Sequence, residues 1–287
     1  MQNNKNIKLD KILTDELICL ENILNSDILL YYGEFIDGVE KVVKDVIEDI
    51  DNKKDTLSVI LTTNGGSITP VERIVNIFRH HYKEVNFIIP DHAYSAGTIL
   101  SMSGDNIYMD YYSVLGPIDP QVKNKNNKFV PALGYLDKIN EMIEKAKTGN
   151  LSDPEFIILK EFDLAELRKY EQAKNLTIDI LKKWLTKYKF KNWSKHSNGK
   201  DVTNDEREER AKSIAEQLSD NNLWKTHDRA INKEILENDL KLKIEDIDKN
   251  EQLKNALSLY YNHFLEYKKI YSKSFLFIHY RNNFIIY

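Results

Sequence analysis

Cysteine is almost missing from this chain: Cys19 is the only one in 287 residues. A single thiol excludes an internal disulfide and fits a reducing compartment. Its neighbours Leu17, Ile18 and Leu20 are apolar, which predicts Cys19 as a small core residue. No His/Cys cluster has metal-site spacing, and His80 and His81, adjacent on an expected helix, make a poor chelating pair. No stretch approaches the roughly 18 apolar residues of a membrane span. Residues 1–10 are polar and have no signal-peptide core, so the expectation is a cytoplasmic protein without a membrane span. An excess of one charge is also lacking. Lys and Arg number 41 against 45 Asp and Glu, a formal net charge of −4, which gives no electrostatic case for nucleic acid. Proline and glycine run out along the chain: all six prolines lie between Pro70 and Pro154, and after Gly149 the only glycine is Gly199. The C-terminal part is therefore expected to be helix-rich.

What is present before that point is an alternation of strand and helix patterns. Leu9–Leu24 reads as an amphipathic helix and Ile28–Ile36 as a strand. Gly38–Asp51 carries Val39, Val42, Val43, Val46 and Ile47 at helical spacing. Leu57–Thr63 is a mostly apolar strand, expected to be buried on both faces. A helix starting at Pro70, a strand over Val85–Ile89, and short strands over Asn106–Met109 and Ser113–Leu115 follow. The alternation argues for parallel βαβ units. Beyond residue 155 the patterns give helices over Leu164–Phe190, Glu206–Leu218 and Asn250–Tyr271, with a short strand over Leu240–Ile244. The aromatics Tyr260, Tyr261, Phe264 and Tyr267 are expected to pack on the body or on a neighbouring subunit. Residues 274–287 are weakly patterned, either disordered or an oligomer contact.

The chemistry concentrates after two of these strands. Residues 91–98 read Asp-His-Ala-Tyr-Ser-Ala-Gly-Thr, which puts Ser95 where a strand ends and a helix begins. The first N–H groups of a helix have no intrahelical partner and carry partial positive charge. This suits a serine nucleophile whose attack creates an oxyanion. Asn64-Gly65-Gly66-Ser67 follows the strand before, and paired glycines can aim backbone N–H groups at a bound carbonyl. Leu115-Gly116-Pro117-Ile118-Asp119-Pro120-Gln121 comes third.

Together with Gly104-Asp105-Asn106-Ile107-Tyr108-Met109, these motifs resemble the serine dehydrogenase proteinase family of the ClpP/crotonase superfamily, related to signal peptide peptidase A and ClpP. The resemblance covers roughly residues 30–235. It implies an α/β fold, the ClpP/crotonase-like ββα superhelix with a helix-rich C-terminal extension. The parts would be an N-terminal helix over 1–27, a core over 28–155, a helical continuation over 156–248 and a C-terminal helix and tail over 249–287. It further implies a serine peptidase with Ser95 as nucleophile and an oxyanion hole from Gly65, Gly66 and Ala96. It implies no cofactor, a homo-oligomer, and a peptide or unfolded protein as substrate.

A serine needs a base. The ClpP histidine would fall near Gly116–Pro117, where this chain has none. Signal peptide peptidase A uses a lysine, and burial can make a lysine neutral. Lys138, at the start of a helix after Pro131-Ala132-Leu133-Gly134, is the first candidate, against an ordinary surface lysine. Lys123, Lys125 and Lys128 flank a loop, and Lys174 lies mid-helix. His227 is the second candidate: Leu223–Ile231 resembles a His-Gly segment of the family, with Asp228 where the glycine stands, and a structural cap is the other reading. His92 either lines the cleft or is exposed on its loop. Asp119 either orients a base or holds the turn marked by Pro117 and Pro120. Two rivals remain, a catalytically silent ClpP-fold subunit or scaffold and a crotonase-like acyl-CoA enzyme. No GxGxxG fingerprint supports nicotinamide chemistry.

Overall fold

The structure is a computed structural model that describes residues 2–123, 129–227 and 229–287. The chain forms two compact units, one of Met1–Gly116, Lys187–Asn192 and Ala230–Tyr287, the other of Pro117–Thr186 and Trp193–Arg229.

In chain order the first unit opens with α1 (Gln2–Leu24), β1 (Asp27–Gly33), α2 (Val39–Asp49), β2 (Thr56–Thr62) and α3 (Ile68–His81). It continues through β3 (Glu84–Ile89), β4 (His92–Ala93), α4 (Ala96–Ser101), β5 (Asn106–Met109) and β6 (Val114–Leu115). The second unit holds the hairpin β7 (Gln121–Lys123) and β8 (Phe129–Pro131), then α5 (Ala132–Lys147), α6 (Asp153–Lys160) and α7 (Leu164–Trp184). A π-helical turn over Leu185–Lys189 follows, then α8 (Asn204–Leu218) and α9 (Asn221–Trp224). The chain completes the first unit with β9 (Ile231–Asn232), α10 (Lys233–Asn238), β10 (Glu245–Asp246), α11 (Glu251–Ile270), β11 (Leu276–Tyr280) and β12 (Asn283–Ile286).

The first unit is built on a seven-stranded sheet in the order β10-β5-β3-β2-β1-β11-β12. The β10-β5-β3-β2-β1 part is parallel, with Leu30 opposite Ile60 and Ile60 opposite Ile88. As the apolar run of β2 requires, Leu57 to Thr62 are all buried. A second sheet, β4-β6-β9, carries the chain past the end of β3. The bridges Phe35–Gly66 and Thr63–Ala93 lie beyond the ends of β1 and β2 and tie the two glycine-rich and serine-bearing turns to their neighbours.

Four expectations need correction. Cys19 is exposed, because α1 turns Leu13, Leu17 and Leu20 inward at i, i+4 and i+7 and this leaves residue 19 off that face. Pro70 is the third residue of its helix rather than the first, since α3 begins at Ile68. Leu240–Ile244 is extended but unpaired; Leu240, Leu242 and Ile244 are buried, and pairing begins only at β10. Residues 274–287 are not disordered, the first of the two alternatives: they form a hairpin whose first strand, buried throughout, pairs antiparallel with β1. Against β1 and that hairpin, α1 and α11 bring Leu17, Tyr260 and Phe264 together with Phe277 in one core.

In the second unit α7 packs on α5 and α8, with Leu133, Leu136 and Tyr170 in a small core of their own. Capping boxes start α6 (Ser152 with Glu155) and α8 (Thr203 with Glu206).

Candidate active site

Ser95 stands immediately before α4, and its backbone lies at φ 50°, ψ −114°. This region is sparsely populated by residues with a Cβ and persists only where the surroundings hold it. Those surroundings are visible. The Tyr94 N–H donates to the Thr63 carbonyl at 3.0 Å and the Gly97 N–H to the Tyr94 carbonyl at 2.8 Å. Buried Thr98 bonds both flanks, with Oγ1 2.8 Å from the Ala93 carbonyl oxygen and 2.9 Å from that of Gly116. A Cβ on Gly97 would stand 2.3 Å from Thr63 Cγ2, so α4 reaches this depth only because residue 97 has no side chain. Ser95 makes no side-chain capping bond, and its hydroxyl has no hydrogen-bond partner among the described residues.

The glycine pair sits against this turn. A Cβ on Gly65 would meet Ser95 Cβ and the Tyr94 carbonyl at 2.9 Å each. Its N–H donates to Thr63 Oγ1 at 2.9 Å, so it is already used. Gly66 has φ 133°, and a Cβ there would lie 2.4 Å from the Phe35 carbonyl oxygen. The bridge to Phe35 runs through the Gly65 carbonyl (2.8 Å) and the Ser67 N–H (2.7 Å), which leaves the Gly66 N–H outside the ladder. The Ala96 N–H likewise donates to no backbone group among the described residues. His92 stacks on Tyr94 with ring centroids 4.9 Å apart; its Nε2 lies 3.1 Å from Asn64 Oδ1 and its Nδ1 3.2 Å from Asp91 Oδ1.

Asp119, Lys138 and His227 belong to the second unit, where all three line one cavity of about 550 Å³. Lys138 lies nearly two turns into α5, its side chain 58% exposed and its Nζ 2.9 Å from Glu141 Oε2. Asp119 is 2% exposed and accepts the Leu133 N–H at 3.3 Å, near the start of α5. Burial, with Asp137 nearby, pushes its carboxyl up to about 6. Lys174 is half-buried on α7. Lys125, Lys128 and Asp228 lie outside the described residues, as does the side chain of Lys123.

Sequence reasoning passed over Thr63 and Thr98, the two hydroxyls that hold the turns. Thr98 ends the Ser-Ala-Gly-Thr quartet, and a threonine set beside glycine in a buried turn is itself a signal for backbone bonding. Lys189 was also missed; burial lowers its amine to about 8, and its Nζ lies 3.4 Å from the Asp105 carbonyl oxygen.

The sequence pattern of ClpP-like SDH-type serine proteinases matches residues 19–207, which is more than half of the chain and includes Gly66, Ser95 and Asp119. The chain belongs to this family. Its fold is accordingly the ClpP-like α/β fold with a helix-rich continuation. Two proteins of Methanocaldococcus jannaschii are similar to this chain. The uncharacterized protein MJ0137 is 29% identical over 143 residues, 50% of this chain and 46% of that one. The uncharacterized protein MJ1495 is 30% identical over 95 residues, 33% of this chain and 31% of that one. The chain thus spans less than half the length of these curated relatives. Among solved structures, a serine-to-alanine variant of the 1510-N membrane-bound stomatin-specific protease gives a TM-score of 0.45 at 15% identity, over 79% of this chain and 81% of that one. A lysine-to-alanine variant of the same protease with a substrate peptide gives 0.45 at 15%, over 80% and 79%. Among the described residues of the ClpP-like chain, no helix is long and apolar enough to cross a membrane.

Proposed function

We propose that this chain is a serine peptidase in which Ser95 attacks the carbonyl carbon of a peptide bond. The Ser95 proton passes to a base and then to the departing amine, and water hydrolyses the acyl-enzyme by the reverse path. The Gly66 and Ala96 N–H groups receive the oxyanion. Gly65, with its N–H on Thr63, shapes the floor under Ser95 instead of donating. The base is Lys138, with His227 as the rival. For Lys138 to serve, its amine must leave Glu141 and be withdrawn from water, because a charged ammonium has no lone pair to accept a proton. The protein works on unfolded or peptide substrates as a cytoplasmic homo-oligomer.

The observation that carries this reading is the backbone of Ser95. A positive φ at a serine, with a hydroxyl that has no partner among the described residues beside two unused N–H groups, is strain held in place where acyl transfer needs a nucleophile. Turnover of a quenched fluorescent peptide mixture tests it. Ser95→Ala should lower the rate by roughly a thousandfold or more, and a rate unchanged by that substitution contradicts the reading.

A silent subunit is the second reading. It is favoured by His92, the histidine nearest Ser95 in sequence, being held between Asp91 and Asn64. Absence of turnover in folded oligomer, with a stable complex to another protein, would support it.

A further inference from the structure

The cavity of the second unit combines apolar walls with a buried carboxyl. Its apolar wall is Tyr135, Ile139 and Met142 of α5 with Ile158 and Phe162. Lys138, Asn221, Lys225, Thr226 and His227 make up a polar side. Between them lies one buried carboxyl, that of Asp119. Asp119 Oδ1 is used by the Leu133 N–H, and Asp119 Oδ2 has no hydrogen-bond partner among the described residues. A buried oxygen without a donor is costly, and native proteins seldom leave one unless something else supplies the donor. At about 550 Å³ the cavity is of the size that holds small molecules or one large side chain.

We infer that this cavity binds a flat apolar group that ends in a single hydrogen-bond donor, with Asp119 Oδ2 as the acceptor. The donor's partner is fixed by the orphaned oxygen. The flat apolar body follows from the walls: Tyr135 and Phe162 already meet edge to face at 5.8 Å, and Met142 adds a thioether, which favours aromatic edges. A free indole has this chemistry. The charged and titratable groups around Asp119 are Tyr135, Asp137, Lys138, Lys225 and His227 among the described residues. Lys138 and Lys225 are exposed, so they stay hydrated and leave the buried oxygen for the ligand. The cavity also holds Lys138 and His227, the candidate bases of the hydrolytic reading, but binding to Asp119 Oδ2 does not need Ser95 to react.

Indole and 1-methylindole test it, since they share a ring system and only the first has an N–H. Both are titrated into the full chain at pH 7.5 by calorimetry, with binding read without turnover. Indole should bind roughly tenfold more tightly than its methylated form, the worth of one buried hydrogen bond. Asp119→Asn keeps the acceptor for Leu133 but turns a donor toward the ligand, so the preference should fall to about twofold or less. Gly134→Leu should abolish binding of both, because a Cβ at this α5 position meets only Asn221 Nδ2, at 3.8 Å, and the side chain has room to enter the cavity. If Gly134→Leu does not fold, Ile158→Trp fills the cavity from exposed α6 and should do the same. Equal affinities for the two probes, binding that survives the filling variant, or no saturable binding by folded wild-type protein would each overturn the inference.

Discussion

Thr98 is fastened to Gly116 in both directions. Its Oγ1 accepts the Gly116 N–H at 3.0 Å and lies 2.9 Å from the Gly116 carbonyl oxygen, while also reaching the Ala93 carbonyl at 2.8 Å. One hydroxyl thus joins the strand before Ser95 to the strand that pairs with it, and sets where α4 begins. Thr98→Val keeps the shape and removes the hydroxyl. It should lower stability by about 2 kcal/mol by stranding buried backbone groups, and Thr98→Ser should recover most of the loss. Urea unfolding of the three proteins checks this.

Gly97 makes a separate steric prediction. Gly97→Ala puts a methyl 2.3 Å from Thr63 Cγ2 and should cost about 1–3 kcal/mol. Thr63→Ser deletes that Cγ2 and keeps the hydroxyl that holds the Gly65 N–H. In the double variant the penalty should shrink, so the two changes should couple favourably in a double-mutant cycle. Additive losses would contradict the packing described.

His279 predicts an acid-sensitive core. Its Nε2 donates to the Arg281 carbonyl at 3.0 Å, so Nδ1 is the acceptor of the Tyr260 hydroxyl at 2.8 Å, and Phe284 stacks on the ring at 3.8 Å. Burial pushes this imidazole down to about 3. The unfolded chain therefore takes up a proton near pH 6.5 that the native state refuses, and stability falls as the pH drops from there toward 3, by about 1.4 kcal/mol per pH unit at most. His279→Gln should flatten the slope of unfolding free energy between pH 4 and 6, even if it lowers stability at pH 7.

Asp119 has the opposite sign. Its carboxyl is raised to about 6, so the native state holds a proton between roughly pH 4 and 6 that the unfolded chain has lost, and stability falls as pH rises through that window. Asp119→Asn should raise stability at pH 7.5 by about 1 kcal/mol and give no such gain at pH 4. The difference between the two pH values is what the ionisation predicts, whereas a simple packing effect would appear at both.

Much of the first unit was legible because buried parallel strands leave apolar runs. Thr56–Thr62 and Glu84–Ile89 announce themselves this way, and the glycine and serine turns after them mark the site. Cys19 was misplaced because chain neighbours on a helix face different ways, so apolar residues at 17, 18 and 20 say little about 19. The C-terminal hairpin did leave a trace. Two apolar runs flank Arg281-Asn282, and Arg281 takes the positive φ that tight hairpins need, but its pairing partner β1 lies some 250 residues away in sequence. At the site, the motif located Ser95, but its positive φ depends on Thr63, Thr98 and Gly97 acting together. The Pro-Ile-Asp-Pro turn gave no hint that Asp119 is buried, because prolines on both sides read as surface. The base is the least legible part, since a lysine becomes one through its surroundings and these are set by tertiary structure.

The peptidase reading requires Ser95 to be an activated nucleophile. Labelling of the purified protein with a fluorophosphonate probe, followed by peptide mass mapping, tests this. The expected result is modification at Ser95 that is lost in Lys138→Ala and kept in His227→Ala; the reverse pattern moves the base to His227. Correctly folded protein that takes up no label at Ser95 would contradict the claim.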